Sequence, residues 1–238
     1  FRPMLFCIDE GRGVEQLLSI LLNYQVSGVV ITSDAPPIEI CEECARMNVP
    51  LALVHRIDNL PFVDRINGDN AKGGRIAADV LVKAGRRYLV AVKHDFLSYS
   101  ENSRINAFLD RATELGVPTK TISVPASEYK GGFAAASEVV AHIDQQPGVF
   151  CQTDSMALGL LDAMRTKHGV RIPEHMSLIG YDDIPQASWA FANLTTIRQS
   201  VDEFARVTVG VLKERIRHPD AEPKNEIVDV TLVSRGTV

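Results

Sequence analysis

Short, continuously apolar runs separate helix-like segments along most of this 238-residue chain. The runs VSGVVI at 26–31 and VPLALV at 49–54 do not alternate between apolar and polar residues. Continuous hydrophobicity of this kind is typical of strands that are buried on both faces, and such strands occur in parallel sheets covered by helices. The sequence therefore predicts an α/β, doubly wound fold.

The period of the apolar residues predicts where the individual elements lie. Strands are predicted over 3–8, 27–32, 49–55, 87–93, 119–124, 148–152, 176–181 and 227–233. Helices are predicted over 14–25, 37–47, 70–84, 101–115, 131–144, 155–168 and 201–217. The last of these helices opens on Ser200 and Glu203, which match a capping box.

The number of strands and a long polar loop from His94 to Glu101 indicate two subdomains. The chain is predicted to cross between them in this loop and again in the Thr-rich segment 194–199. The predicted N-terminal subdomain is 1–94 plus 200–226, and the C-terminal one is 95–199 plus 227–238. Two subdomains joined by several strands suit hinge closure on a ligand.

Composition excludes several classes of protein. The formal net charge is −5 and no basic run is longer than Arg86-Arg87, which argues against nucleic-acid binding by this chain alone. Neither an apolar stretch of membrane-spanning length nor a leader with a cleavage site is visible, so we expect no membrane partner and a cytoplasmic location. Because the chain begins at Phe1 and enters a predicted strand at once, we expect it to be a fragment.

Cysteine, histidine and glycine patterns do not predict a metal or a cofactor. Cys7, Cys41, Cys44 and Cys151 lie in apolar or helical segments, where we interpret them as reduced core residues. A redox or zinc role for the C-x-x-C at 41–44 is the alternative, but zinc would need a second ligand pair. The six histidines lack metal-site spacing, and Gly11-Arg12-Gly13 lacks the third glycine of a dinucleotide site.

Polar side chains follow two predicted strands that we expect to be neighbours. Asp182 and Asp183 follow the strand at 176–181, and Thr153 and Asp154 follow the one at 148–152. The aspartate pair is open to three interpretations, namely acid/base catalysis, structural capping, or ligand binding by Asp182. Adjacent strand residues point to opposite faces, which disfavours a shared proton and hence catalysis. For Asp154, a helix N-cap and a ligand contact remain equal alternatives.

Arg104 and Asp69 are further binding candidates. Arg104 is predicted near a helix N-terminus, where a cation opposes the helix dipole, so a polar partner is a better explanation than helix stability. The alternative is a salt bridge to Glu101 or Asp95. Asp69 precedes the helix at 70–84, where it can cap the helix or contact a ligand.

Three linked motifs occur in order along 153–200: TDSMALG, IPEHMSLIGYDDIP and LTTIRQS. Together with NVPLALVHR at 48–56, GDNAKGG at 68–74 and SRINAF at 103–108, they resemble the effector-binding core of the lactose-repressor (LacI/GalR) family of bacterial transcription regulators. The resemblance covers nearly the whole chain. It implies two subdomains of the periplasmic-binding-protein type, with a ligand cleft between them.

The resemblance also implies roles for individual residues. Asp182 would accept hydrogen bonds from effector hydroxyls, Arg104 would clamp the effector, and Asp69 would approach it from the opposite side. Further candidates are Thr153, which stands where the family more often has Asn, with Asp154, Gln199 and Arg56. Leu158 and Trp189 would form the interface of a side-by-side homodimer, since family members pair through these two segments.

The resulting hypothesis is an effector-sensing and dimerisation domain that binds a small sugar-like metabolite and has no catalytic residues. Operator DNA would be bound only through a helix-turn-helix domain, which we expect to be missing here together with the first βα unit. The alternative is a periplasmic sugar-binding protein of an ABC transporter, which shares the fold. An enzyme would rest on the aspartate pair alone.

Overall fold

The computed structural model describes residues 2–6, 23–32, 36–58, 60–95, 98–126 and 128–238. Cys7, the Gly11-Arg12-Gly13 segment and most of the helix predicted over 14–25 lie outside these residues. The chain divides into two compact units. The first comprises Phe1–Asn67 and Val201–Val228, and the second Gly68–Ser200 and Asp229–Val238.

Strands and helices alternate along most of the described chain. The strands are β1 (Val29–Ile31), β2 (Leu51–Val54), β3 (Val63–Gly68), β4 (Leu89–His94), β5 (Thr119–Val124), β6 (Gly148–Cys151), β7 (Ser177–Asp182), β8 (Thr195–Gln199), β9 (Asn225–Val228) and β10 (Val230–Val233). The α-helices are α1 (Ile38–Arg46), α2 (Asn70–Lys83), α3 (Tyr99–Glu114), α4 (Glu128–Val139), α5 (Asp154–Thr166) and α6 (Val201–Arg217). Short 3-10 helices span Val140–Gln145 and Pro185–Ser188.

The first unit contains a four-stranded sheet with the order β1-β2-β3-β9. Strands β1, β2 and β3 run parallel. Leu53 packs in a buried cluster with Cys44 of α1, whereas the preceding Ala52 packs with Phe204 of α6. Because successive strand residues point to opposite faces, a helix covers each face of this sheet.

The second unit contains a six-stranded sheet with the order β10-β8-β7-β6-β4-β5. All neighbouring strands are parallel except β10, which is antiparallel to β8. Phe150 of β6 packs with Phe108 of α3, whereas the preceding Val149 packs with Leu160 of α5. Helices therefore cover both faces, and the predicted doubly wound α/β class is confirmed.

The structure corrects the predicted boundary between the subdomains. Residues 68–94, predicted for the first subdomain, lie in the second unit, because β4 is hydrogen-bonded between β5 and β6. The polar loop after His94 is therefore not a crossing. The strand predicted over 227–233 is two strands, β9 and β10, which belong to different units and are separated by Asp229.

One further strand prediction was wrong, and one strand was missed. Residues 3–6 have no regular secondary structure, although a strand was predicted there. Conversely, β3 was not predicted, because Asp64, Arg65 and Asn67 make its sequence polar. Asp64 is buried in the sheet, where it forms an ion pair with Arg215, a residue distant in the sequence.

The cysteines within the described residues are core side chains. Cys41, Cys44 and Cys151 are buried and free of disulfides. Burial, together with the neighbouring Cys44 thiol, raises the pKa of Cys41 to about 11, which favours the unreactive thiol form. Among the described helices, none is long and apolar enough to cross a membrane.

Candidate functional site

The carboxyl ends of three adjacent strands in the second unit carry the predicted binding residues. Strand β6 is hydrogen-bonded to β4 on one side and to β7 on the other. Thr153 follows β6, Asp182 ends β7, and Arg104 lies on α3, which follows β4. Such carboxyl edges are where open parallel sheets bind ligands. The prediction that the two polar strand ends are neighbours is confirmed.

The shortest hydrogen bonds of the buried Arg104 side chain are to uncharged groups. Its Nε and Nη2 donate to Asn70 Oδ1 at 3.2 and 3.0 Å, and its Nη1 donates to the carbonyl oxygen of Gln152 at 2.8 Å. Its guanidinium carbon lies 3.7 Å from the centre of the Tyr181 ring. These contacts fix the side chain, but none of them neutralises its charge.

Glu101 does not supply the missing negative charge. It is the third residue of α3 and forms a capping box with Ser98, whose backbone N–H donates to Glu101 Oε2 at 2.8 Å. The other carboxylate oxygen accepts a hydrogen bond from Gln152 Nε2 at 3.1 Å. The structure therefore does not contain a salt bridge between Arg104 and Glu101, which was the alternative prediction.

Asp182 supplies the negative charge that faces Arg104. Its Oδ1 lies 3.5 Å from Arg104 Nη1 and accepts a hydrogen bond from Gln199 Nε2 at 2.8 Å. Burial raises the pKa of Asp182, although the Arg104 cation and Gln199 oppose the shift. Its φ of 112° is unusual for a residue with a side chain, and such backbone strain is concentrated at functional sites. The Asp182 side chain is still 31% exposed.

Asp183 is held apart from Asp182 by two arginines. Its oxygens accept hydrogen bonds from Arg235 Nη2 and Arg198 Nε, each at 2.6 Å. Burial alone would raise the pKa of Asp183, but the two arginines outweigh it and lower the pKa. The two carboxylates therefore have different partners, and the geometry does not provide the shared proton of a catalytic aspartate pair.

The structure corrects the predicted cap of the helix that follows β6. Thr153, not Asp154, is the N-cap of α5, because its hydroxyl accepts a hydrogen bond from the Met156 N–H. Asp154 is fully buried, and its oxygens accept hydrogen bonds from Thr196 Oγ1 at 2.5 Å and the Ile184 N–H at 2.9 Å. Asp154 therefore lies among buried residues, and a ligand contact by Asp154 remains a prediction.

Asp69 and Arg56 do not take part in the contacts of Arg104 and Asp182 described above. Asp69 is the N-cap of α2 and accepts a hydrogen bond from the Lys72 N–H at 2.9 Å, which confirms the capping alternative. Arg56 lies in the first unit, where its carbonyl oxygen accepts a hydrogen bond from Asn67. A ligand contact by Asp69 or Arg56 remains a prediction.

Sequence reasoning missed three residues that surround Arg104, namely Asn70, Gln152 and Tyr181. Asn70 follows Asp69 directly, and its polar side chain at the start of a helix was the available signal. Tyr181 precedes Asp182 and had been assigned to an apolar strand. Its ring fits beside α2 only because residue 73 is glycine, where a Cβ would lie 2.6 Å from Tyr181 Cε2.

The two predicted dimer residues differ in exposure. Trp189 is 50% exposed and contacts Phe191, which is 62% exposed, with ring centres 5.7 Å apart. Leu158 is only partly exposed and packs against the buried core beneath α5. Trp189 and Phe191 therefore form an exposed aromatic pair, and Phe191 was not predicted.

Comparison with known proteins identifies relatives of the chain. A family model described as a periplasmic binding protein-like domain matches residues 78–238. The chain is 24% identical over 231 residues to the ribose operon repressor of Haemophilus influenzae, covering 96% of this chain and 69% of that protein. It is also 24% identical over 240 residues to the HTH-type transcriptional repressor PurR of Photobacterium profundum, covering 99% and 72% respectively.

A solved structure has the same fold. It is a LacI family transcriptional regulator from Enterococcus faecalis V583 with bound ribose. The two chains superpose with a TM-score of 0.81 at 25% sequence identity, covering 94% of this chain and 81% of the other.

Proposed function

The chain belongs to the periplasmic binding protein-like domain family, and we propose on that premise that it is the effector-sensing domain of a LacI-type transcription regulator. The effector would be a small, uncharged, polyhydroxyl molecule, a sugar or sugar derivative. Asp182 and Arg104 would be its principal binding residues in the second unit.

The pairing of Arg104 with Asp182 is the observation that carries this proposal. One cation and one anion lie 3.5 Å apart at a sheet edge, so the pair is neutral overall and offers both donors and acceptors. A hydroxyl group can donate to Asp182 and accept from Arg104, whereas a second charge would be left uncompensated. Arg104 is only 4% exposed, so a ligand would reach it through the edge that it shares with Asp182.

The named relatives favour a regulator over the transporter alternative. The similar proteins from Haemophilus influenzae and Photobacterium profundum are both repressors, and the similar solved regulator contains ribose. In this proposal a DNA-binding domain elsewhere in the full-length protein contacts the operator, and effector binding changes the affinity of that contact. Because its target would be chromosomal DNA, the protein would act in the cytoplasm.

We also propose that the domain forms a homodimer through Trp189 and Phe191. Aromatic side chains are enriched at the centres of protein interfaces, where they bury much area at a small entropic cost. These two rings are each at least half exposed in the single chain and lie side by side. Leu158 would contribute at the margin, since it is already partly packed against the core.

Isothermal titration with D-ribose, followed by a panel of other neutral sugars and sugar acids, tests the binding site. We expect Asp182→Ala and Arg104→Ala to weaken binding of the active sugar at least tenfold, since each removes a charged hydrogen-bonding partner worth about 1.5–3 kcal/mol. The controls are Asp110→Ala on the exposed face of α3 and Arg87→Ala at the opposite end of β4, which should bind normally. Unchanged affinity in both site variants would refute the assignment.

A further inference from the structure

One side chain connects Arg104 to the point where the chain enters the second unit, at Gly68. Asn70 accepts two hydrogen bonds from the Arg104 guanidinium through its Oδ1. Through its Nδ2 it donates to the carbonyl oxygen of Gly68 at 3.0 Å. Both Asn70 and Arg104 are buried. Since an amide group is planar, rotation of Asn70 about its terminal bond changes both contacts together.

A second side chain connects Asp182 to the point where the chain leaves the unit, after Ser200. Gln199 donates from Nε2 to Asp182 Oδ1 at 2.8 Å, the same oxygen that Arg104 approaches at 3.5 Å. Gln199 Oε1 is buried and has no hydrogen-bond partner among the described residues. The contact with Asp182 is therefore the polar contact that holds this side-chain amide.

At the third point where the chain passes from one unit to the other, the contact is of a different kind. The chain re-enters the second unit at Asp229, which forms an ion pair with Lys72 at 2.5 Å. Both side chains are largely exposed, so solvent and salt screen this pair. By contrast, the entry at Gly68 and the exit after Ser200 are linked to Arg104 and Asp182 by side-chain amides. These amides belong to Asn70, which is buried, and Gln199, which is half-buried.

We propose that Asn70 and Gln199 are positioning residues that transmit ligand engagement at Arg104 and Asp182 to the peptides at Gly68 and Ser200. A ligand hydroxyl that donates to Asp182 competes with Gln199 for the same carboxylate. A ligand oxygen that accepts from Arg104 turns the guanidinium relative to Asn70. In both cases the bound state changes a hydrogen bond beside a peptide that leads to the other unit. The inference rests on the proposed binding role of Arg104 and Asp182.

A double-mutant cycle followed by NMR tests the entry side without any ligand. The carbonyl carbon shift of Gly68 reports the hydrogen bond that Asn70 donates to it. We expect Arg104→Met to move this shift in the wild-type background, because the amide loses its guanidinium partner. In an Asn70→Ala background, which lacks both the acceptor and the donor, Arg104→Met should no longer move it. Arg104→Lys serves as the second variant if the Met variant does not fold.

The exit side has a matched cycle. Asp182→Ala should shift the backbone amide of Ser200 in the wild-type background and not in Gln199→Ala. The carbonyl of Lys83, at the far end of α2, is the internal reference and should stay constant. If the Gly68 and Ser200 shifts respond equally in both backgrounds, or in neither, the proposed transmission is overturned.

Titration with D-ribose separates this inference from the proposed function. If D-ribose binds, it should move the Gly68 and Ser200 resonances in the wild type, and these responses should be lost in Asn70→Ala and Gln199→Ala respectively. Binding that leaves both resonances unmoved in the wild type would also overturn the transmission. If D-ribose and the other sugars fail to bind, the proposed function fails, while the ligand-free cycles still decide whether the two amides transmit.

Discussion

The guanidinium carbon of Arg104 lies over the ring of Tyr181, 3.7 Å from the ring centre. A cation in this position is attracted to the electron-rich face of the ring, and more strongly when both groups are shielded from water. Both side chains are buried, Tyr181 completely. The ring therefore packs against the guanidinium and holds it in place beside Asp182.

The position of the Tyr181 ring leads to a prediction about Gly73 of α2. A methyl group at Gly73 would lie 2.6 Å from Tyr181 Cε2 and 2.7 Å from its hydroxyl oxygen. Gly73→Ala should therefore displace the ring, destabilise the protein by about 1–3 kcal/mol and weaken effector binding. Urea unfolding and titration calorimetry measure the two effects.

Gly210→Ala is the matched control for that experiment. Gly210 is a helical glycine in α6, and among the described residues nothing lies within 4 Å of the place that an added methyl group would take. Since alanine is the better helix former, this change should stabilise the protein by about 0.5–1 kcal/mol. If Gly73→Ala were as stabilising as Gly210→Ala, the close contact with Tyr181 would be wrong.

Asp154 should make stability depend on pH. Burial raises its pKa from 3.8 to about 7, against the opposing hydrogen bonds from Thr196 and Ile184. Between these two values the folded protein keeps a proton that the unfolded chain has lost. The contribution of Asp154 to stability is therefore fully present below pH 3.8 and is lost as the pH rises to about 7, with a limiting slope of about 1.4 kcal/mol per pH unit.

The variant Asp154→Asn isolates this contribution, because the amide is always neutral. The unfolding free energy of the variant relative to the wild type should increase with pH across that window and then level off. Asp110→Asn, on the exposed face of α3, is the reference for the same exchange at an exposed position. A difference between Asp154→Asn and wild type that stays constant from about pH 4 to 8 would show that the buried carboxyl group titrates normally.

The buried pair of Asp64 and Arg215 should be essential to the first unit. Arg215 Nε and Nη2 donate to the two Asp64 oxygens at 3.1 and 2.7 Å, and both side chains are less than a tenth exposed. Removal of one partner leaves a buried charge without compensation, so Asp64→Ala should cost about 3–5 kcal/mol in urea unfolding. The exposed pair of Glu203 and Arg206 is the contrast, since water and salt screen it, and Glu203→Ala should change the unfolding free energy far less.

The proposed dimer is tested by its exposed aromatic residues. We expect Trp189→Ala combined with Phe191→Ala to convert a dimer to a monomer in sedimentation velocity, because the two rings form one apolar surface. Leu158→Asp should act in the same direction, although it also perturbs the core. Phe62→Ala, which removes an exposed aromatic residue from the first unit, is the control. A wild-type chain that sediments as a monomer, or a double variant that remains dimeric, would refute this interface.

Local sequence patterns determined the class of the fold and one half of the candidate site. Apolar runs and helix-period segments predicted most strands and helices, because buried strands and amphipathic helices have different periods. The position of Asp182 at a strand end followed from the apolar run before it. The start of α6 at Val201 was also predicted, since capping signals lie within a few residues of the helix they begin.

Only the tertiary structure decided which polar residues act together. Arg104 and Asn70 are 34 residues apart, and Asp64 and Arg215 are 151 apart, so no local pattern pairs them. The pairing of Asp64 is also the reason that β3 escaped prediction, since a buried charge is tolerated in a strand only where a distant partner neutralises it. For Asp154 the sequence left a helix cap and a ligand contact as equal alternatives, and its hydrogen bonds with Thr196 and Ile184 placed it in the core. Sequence thus specified the elements and their polar ends, whereas the contacts between them specified each side chain's burial, and burial decided its chemistry.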